Sequence, residues 1–247
     1  MGRLFVRGGR VVLPGGVAEA DLAAEDGRIV AVGAGVARDA GSRPDDRIVD
    51  AAGKWVLPGL VDLHCDAIEK EAEPRPNTLF PLELAFLEFE KKLAGHGITT
   101  MLHSLSLGVG LSLRGEHLVA EMIGRIHALR QERAMIRHGV HLRYEVSHLS
   151  GLPLARRLIE EGAVDLFSLM DHAPGIGQYK KPGSFERYVM KNQGVTIDEA
   201  AKIVEELQER RRQVDPARLR ELTDAAAARG VTVASHDDDS QAAVEKS

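Results

Sequence analysis

The apolar positions of this chain fall into two regimes. Over residues 1–57 they come in short runs broken by glycine. Leu4-Phe5-Val6 is followed, beyond Gly8-Gly9, by Arg10-Val11-Val12-Leu13; then come a weak alternation over 20–24, Arg28-Ile29-Val30-Ala31-Val32, and Arg47-Ile48-Val49-Asp50. Runs of this length, rich in branched residues and bounded by turn formers, predict β-strands. Pro14-Gly15-Gly16 marks one turn and Asp26-Gly27 is a hairpin signal. The Gly/Ala/Asp-rich stretch 33–46 reads as loop, so residues 1–57 form a small β module with few helices.

From residue 58 the pattern changes to strand-like and helix-like segments in alternation. Leu60-Val61-Asp62-Leu63 is a short strand ending in His64-Cys65-Asp66. Residues 82–93 carry apolar side chains at helical spacing, with Gly95 and Gly97 just past their end. Strand 98–102, helix 118–137, strand 140–146, helix 152–161 and strand 164–170 follow, the last ending in Asp171-His172. Thr196-Ile197-Asp198-Glu199 is a capping box that opens a charged helix to about Arg212. Asp215-Pro216 opens another, with aspartate as cap and proline at the first helical position. Gly230 ends it, and a last strand, 231–234, runs into Ser235-His236-Asp237-Asp238. Strands alternating with helices predict an α/β fold on a parallel sheet. The roughly 190 residues beyond the β module hold about five or six βα units, too few to close a standard eight-stranded barrel. An incomplete (β/α)8 TIM-like barrel over 58–247 is therefore expected, as the N-terminal part of a longer protein.

Composition narrows the function classes. The formal net charge is -5, and no basic run with interleaved aromatics is present, which argues against nucleic acid as a partner. No apolar stretch approaches the ~18 residues of a membrane span, and the N-terminus lacks a signal-peptide core, so the expectation is a cytoplasmic protein without a membrane partner. A single cysteine, Cys65, excludes an internal disulfide. The sequence leaves a homo-oligomer open.

Polar residues gather where strands end, the place α/β enzymes use for chemistry. His64, Asp66, Glu145, His172 and His236, with Asp237 and Asp238 beside it, are nitrogen and carboxylate donors suited to zinc, manganese or iron. The strand period of two puts His64 and Asp66 on one face and turns Cys65 away. A carboxylate such as Glu145 can bridge two ions about 3.5–4 Å apart, so a pair of divalent ions is expected. Taken singly, each donor has a plainer reading: Glu145 as a solvated carboxylate or a partner for Arg143, His172 as a turn residue, and His236 with its aspartates as a helix cap. Most of the other histidines among the ten, including His96, His117, His127, His138 and His141, fall in segments read as helix or loop. Arg75, between Pro74 and Pro76, and the cluster Lys180, Lys181, Arg187 and Lys191 are cations near this site, suited to a phosphate-bearing substrate; for Lys191 a solvated helix face is the simpler reading.

Residues 47–66, RIVDAAGKWVLPGLVDLHCD, resemble the opening signature of the amidohydrolase superfamily, with His-x-Asp in place of the usual His-x-His. The stretches 57–70, 74–76, 97–102, 141–145 with His148, 168–174, 186–188 and 234–238 are similar to the phosphonate-metabolism branch of that superfamily. The resemblance implies a (β/α) barrel with a small β-sandwich domain built from both chain termini. It implies a divalent-metal site on His64, Asp66, Glu145, His172 and His236, with Glu145 bridging. It also implies hydrolysis of a phosphorylated sugar, a triphosphate, to a monophosphate and pyrophosphate, with Arg75, Lys180, Lys181 and Arg187 on the triphosphate. The family's proton-handling aspartate on its last strand has no match, and Asp237 and Asp238 are the nearest candidates for that role. The alternatives are another amidohydrolase reaction, on a cyclic amide or as a deacetylase, and a truncated non-catalytic chain.

Overall fold

The computed structural model describes residues 2–75, 78–108, 113–132, 134–176, 179–236, 238 and 241. It divides into two compact units, Met1–Gly59 and Leu60–Ser247.

The first unit is one five-stranded sheet. Its strands are β1 (Arg3–Leu13), β2 (Gly16–Glu25), β3 (Arg28–Gly33), β4 (Arg47–Asp50) and β5 (Trp55–Val56), in the order β3-β2-β1-β4 with β5 also on β1. The β2–β3 turn is Asp26-Gly27, with φ 50° and 78°; two successive left-handed residues give the hairpin turn whose twist matches the strands. The runs on either side of Gly8-Gly9 form a single strand with a bulge between Val6 and Gly9. Gly8, at φ 65°, makes that bulge, and its N–H donates to Asp21 Oδ1 at 2.9 Å. Phe5 pairs with Ala23, and Ala23 with Ala31, which makes an apolar row across three strands. The loop residues Val36, Ala37 and Ala40 close over that row. Among the described residues of this unit a loop covers that face, and the expected β-sandwich is not shown by this sheet alone.

The second unit alternates strands and helices. Its elements are β6 (Leu60–Cys65), α1 (Ile68–Ala72), α2 (Leu82–Gly95), β7 (Ile98–Leu107), α3 (Glu116–Gln131), β8 (Arg137–Glu145), α4 (Leu152–Glu160), β9 (Leu166–Met170), α5 (Ser184–Gln193), α6 (Ile197–Arg212), α7 (Pro216–Ala228) and β10 (Thr232–Ser235). The strand order is β10-β9-β8-β7-β6, parallel throughout, and the sheet curls into a half-barrel. One face packs on the helices through Met101, Leu105, Val140, Leu142, Tyr144 and Phe167, against Phe86, Ile126 and Ile159. The other face carries Ser104, Ser106, His141, Arg143 and Ser168. Helices α5 and α6 share a separate apolar cluster around Phe185, Val189 and Ala200. The capping box at Thr196 and Glu199 and the Asp215 cap both form.

Three local expectations change. The helix read to Arg137 stops at Gln131, and β8 already begins at Arg137. The chain is already extended at Glu132, and beyond it the carboxylate of Glu90 accepts the N–H groups of Met135 and Ile136 at 2.5 and 3.1 Å. His138, read as helix or loop, lies on β8, which begins three residues earlier than the expected strand 140–146. Residues 184–193, where the sequence pattern assigned no element beyond a helix face at Lys191, are a full helix whose apolar face needs α6 to bury it.

Glu90 also anchors a buried polar chain between sheet and helices. Its Oε1 lies 3.0 Å from His138 Nε2, and His138 Nδ1 lies 2.9 Å from His103 Nε2. His103 is fully buried, with Phe86 set edge-on to its ring. Burial, with smaller contributions from His138 and Arg130, pushes its pKa down to about 3. In the unfolded chain the same ring titrates near 6.5. Between those values the unfolded state binds the extra proton, so stability falls as pH drops below about 6.5, by at most ~1.4 kcal/mol per pH unit from this ring. Urea-unfolding midpoints measured from about pH 7.5 down to about 5 should decline, and His103→Gln should flatten the decline. An identical slope in the variant would show that His103 is not held neutral.

Candidate active site

The site grows out of β8. Because alternate residues of a strand face opposite sides, His141, Arg143 and Glu145 all point away from the helices that Val140, Leu142 and Tyr144 meet. His141 stands between two hydroxyls and a backbone carbonyl. Its Nδ1 lies 2.9 Å from the Leu63 carbonyl and 3.1 Å from Ser104 Oγ, and its Nε2 lies 2.9 Å from Ser168 Oγ. The carbonyl can only accept, so Nδ1 carries the proton and Nε2 accepts from Ser168. Burial, which outweighs the opposing Leu63 hydrogen bond, pushes the pKa of this ring down to about 4 and keeps it neutral. His141 therefore ties the end of β6 to β8, one residue from His64.

The structure brings the strand-end donors into one region. The His64 ring lies 5.1 Å from that of His236 and 5.2 Å from that of His141, centroid to centroid, and His172 lies 5.5 Å from His236. Glu145 accepts the backbone N–H of His172, at 3.3 and 3.2 Å to its two oxygens, and the Ser147 hydroxyl at 3.3 Å. Its Oε2 is also 3.3 Å from His172 Nδ1. Asp66 is half exposed, and its carboxylate lies 3.8 Å from the Arg143 guanidinium. Burial, and then the charge of Arg143, hold the His64 pKa below its ordinary value. Beside the site, Asp171 accepts from Arg211 Nε at 2.6 Å, which fastens the end of α6 to the segment after β9.

Other expected residues lie further out. Arg75 is exposed and forms an isolated bridge with Thr78 in the segment after β6. Lys180, Lys181 and Arg187 are exposed on the segment that follows β9 and on α5. Asp238 is exposed, and Asp237 lies outside the described residues. Cys65 packs against the helix-side core, and burial raises its thiol pKa. Sequence reasoning missed His141 and the inward placement of Arg143; the signal available was their spacing of two from Glu145 on one strand. A surface concavity near Gly162, Asp165 and Arg229 sits before β9 and β10, at the opposite end of the strands, and holds none of these donors.

Neutral imidazoles and carboxylates suit a divalent ion by type. Their placement does not hold one: among the described residues no three histidine, cysteine, aspartate or glutamate side chains stand close enough together to do so. The Arg143 guanidinium lies in their midst, and its Nη2 donates to His236 Nε2 at 2.8 Å.

The chain is 32% identical over 203 residues to the alpha-D-ribose 1-methylphosphonate 5-triphosphate diphosphatase of Escherichia coli, covering 81% of this chain and 53% of that protein. It is 29% identical over 177 residues to a D-hydantoinase of Streptomyces coelicolor, covering 70% of this chain and 34% of that protein. An allantoinase of Desulfitobacterium hafniense shares 44% over 61 residues, 25% of this chain and 12% of the relative. The chain thus spans about half the length of the first of these relatives and less of the others. A crystal structure of D-hydantoinase matches 99% of this chain and 60% of its own, with a TM-score of 0.52 at 17% identity, which shows the fold alone. No protein-family model matches the chain. Among the described residues no helix is long and apolar enough to cross a membrane.

His141→Phe would leave the Leu63 carbonyl and two buried hydroxyls, Ser104 and Ser168, without their ring partner. A loss of about 1–3 kcal/mol is expected in urea unfolding. Wild-type stability in this variant would show that the ring is not a structural tie.

Proposed function

We propose that this chain carries the site of a metal-dependent hydrolase that converts alpha-D-ribose 1-methylphosphonate 5-triphosphate to the 5-phosphate and pyrophosphate. The observation that carries the reading is the 32% identity over 203 residues to the diphosphatase of E. coli. The His64-Cys65-Asp66 motif and the exposed cations after β9 support it. In this reading His64, Asp66, Glu145, His172 and His236 are the donors for divalent zinc, manganese or iron. Arg75, Lys180, Lys181 and Arg187 bind the triphosphate, for which exposed cations on a segment beside the strand ends are suited. Asp237 and Asp238 are the proposed proton-handling groups. Glu145 is positioned by the His172 N–H and the Ser147 hydroxyl, both of which donate to its carboxyl oxygens. The first unit is proposed as part of a composite β domain, and the protein as a cytoplasmic one.

A second reading, hydrolysis of a cyclic amide or an N-acyl group, is favoured by the matches to hydantoinase and allantoinase. The substrate charge separates the two. With manganese or zinc supplied, pyrophosphate release from a ribosyl 5-triphosphate is expected, and Lys180→Glu with Lys181→Glu should lower kcat/KM about tenfold or more, mainly through KM. Hydrolysis of hydantoin that is indifferent to the double charge reversal, with no pyrophosphate, would overturn the diphosphatase reading in favour of the second.

A further inference from the structure

The cations given to the triphosphate, Arg75, Lys180, Lys181 and Arg187, are all exposed, where water and salt screen each charge. One further cation stands at a strand end and is held in place. Arg114 follows β7, and its carbonyl accepts the N–H of Gly108 at 3.1 Å, which ties it back to the end of the strand. Leu113 beside it is 5% exposed and belongs to the core between sheet and helices. Arg114 Nη2 donates to Glu69 Oε2 at 3.1 Å. Glu69 lies in the first turn of α1, and its own N–H donates to the carbonyl of Asp66 at 2.9 Å. The guanidinium is thus fastened, through Glu69, to the backbone of the His64-Cys65-Asp66 motif.

Glu69 holds the guanidinium without covering it. The bond takes up one of five N–H donors, and the Arg114 side chain is 43% exposed. Burial opposes its charge, but the Glu69 carboxylate, with smaller contributions from Tyr188 of α5 and from Asp66, outweighs burial and raises its pKa. Arg114 is therefore within electrostatic reach of both the β6 motif and the helix that carries Arg187. A planar fork held at a fixed angle can meet two phosphoryl oxygens at once, and little side-chain freedom is lost when it does. An exposed lysine offers neither advantage. A neutral cyclic amide, in turn, has no anionic oxygens for the fork to meet.

We propose that Arg114 selects a polyphosphate substrate at this site, by binding phosphoryl oxygens directly with the N–H donors that Glu69 does not take. The inference rests on the triphosphate reading and deepens it with a residue outside the exposed cations.

The test is calorimetric titration of the full chain with inorganic tripolyphosphate in the presence of EDTA, which keeps metal out of the result. The wild type should bind it. Arg114→Gln should bind about tenfold or more weakly, and Arg114→Lys, which keeps the charge without the fork, should recover part of the loss. A second measurement needs no variant: tripolyphosphate should slow the modification of Arg114 by phenylglyoxal, read by mass spectrometry of the digested chain. Unchanged affinity in an Arg114→Gln variant whose far-UV circular dichroism is native would overturn the proposal and leave the bond to Glu69 an ordinary ion pair. Modification of Arg114 that tripolyphosphate does not slow would overturn it as well, as would a wild type that does not bind tripolyphosphate. The triphosphate reading itself stands or falls on pyrophosphate release, so release without these effects sinks the inference alone.

Discussion

β8 is hydrogen-bonded to a neighbour along each edge, to β7 on one side and β9 on the other. Its backbone groups are consumed in the sheet, so its side chains have only two directions in which to point. On one side they meet the helices, where Val140, Leu142 and Tyr144 are fully buried. On the other they meet the concave face of the half-barrel, where His141, Arg143 and Glu145 form a polar column. The rest of the site is hung on that column. His141 holds the carbonyl of Leu63 next to His64, Arg143 reaches His236 and Asp66, and Glu145 receives the N–H of His172.

Most polar atoms of the column have a protein partner, Arg143 Nε being a buried exception. Serines on the flanking strands, Ser104, Ser106 and Ser168, supply hydroxyls at the depth where the histidine and arginine need them. A buried polar network is favourable when it is satisfied and costly when it is half satisfied. The small, polar inward positions of β7 and β9 are thus as much part of the site as the donors at the strand ends. The helix-side chain from Glu90 through His138 to His103 follows the same rule, except that His103 Nδ1 is buried without a hydrogen-bond partner.

Much of this was legible in the sequence, and the gaps have physical causes. The alternation of strand and helix from residue 58 is carried by hydrophobic period, a local property, and β6 to β10 follow it. The caps at Thr196 and Asp215 are local as well, and both form as expected. The segment between α3 and β8 was misread because it is held by the distant carboxylate of Glu90, which no window of neighbouring residues contains. The loop of small residues that closes over the Phe5 and Ala23 row has no periodicity to read. Strand-end donors could be named from position, but not the guanidinium between them, because its reach from mid-strand to β10 depends on how far the sheet curls.

The strands that carry the donors differ in how firmly they are mounted. Glu145 stands on a beam clamped along both edges, whereas His64 and His236 ride at the ends of β6 and β10, each held along one edge only in this sheet. Outer strands of this kind open at lower free energy than inner ones. Positional tolerance is therefore unequal across the site: the carboxylate is the fixed jaw, and the two imidazoles are cantilevers whose alignment depends on whatever meets their outer edges.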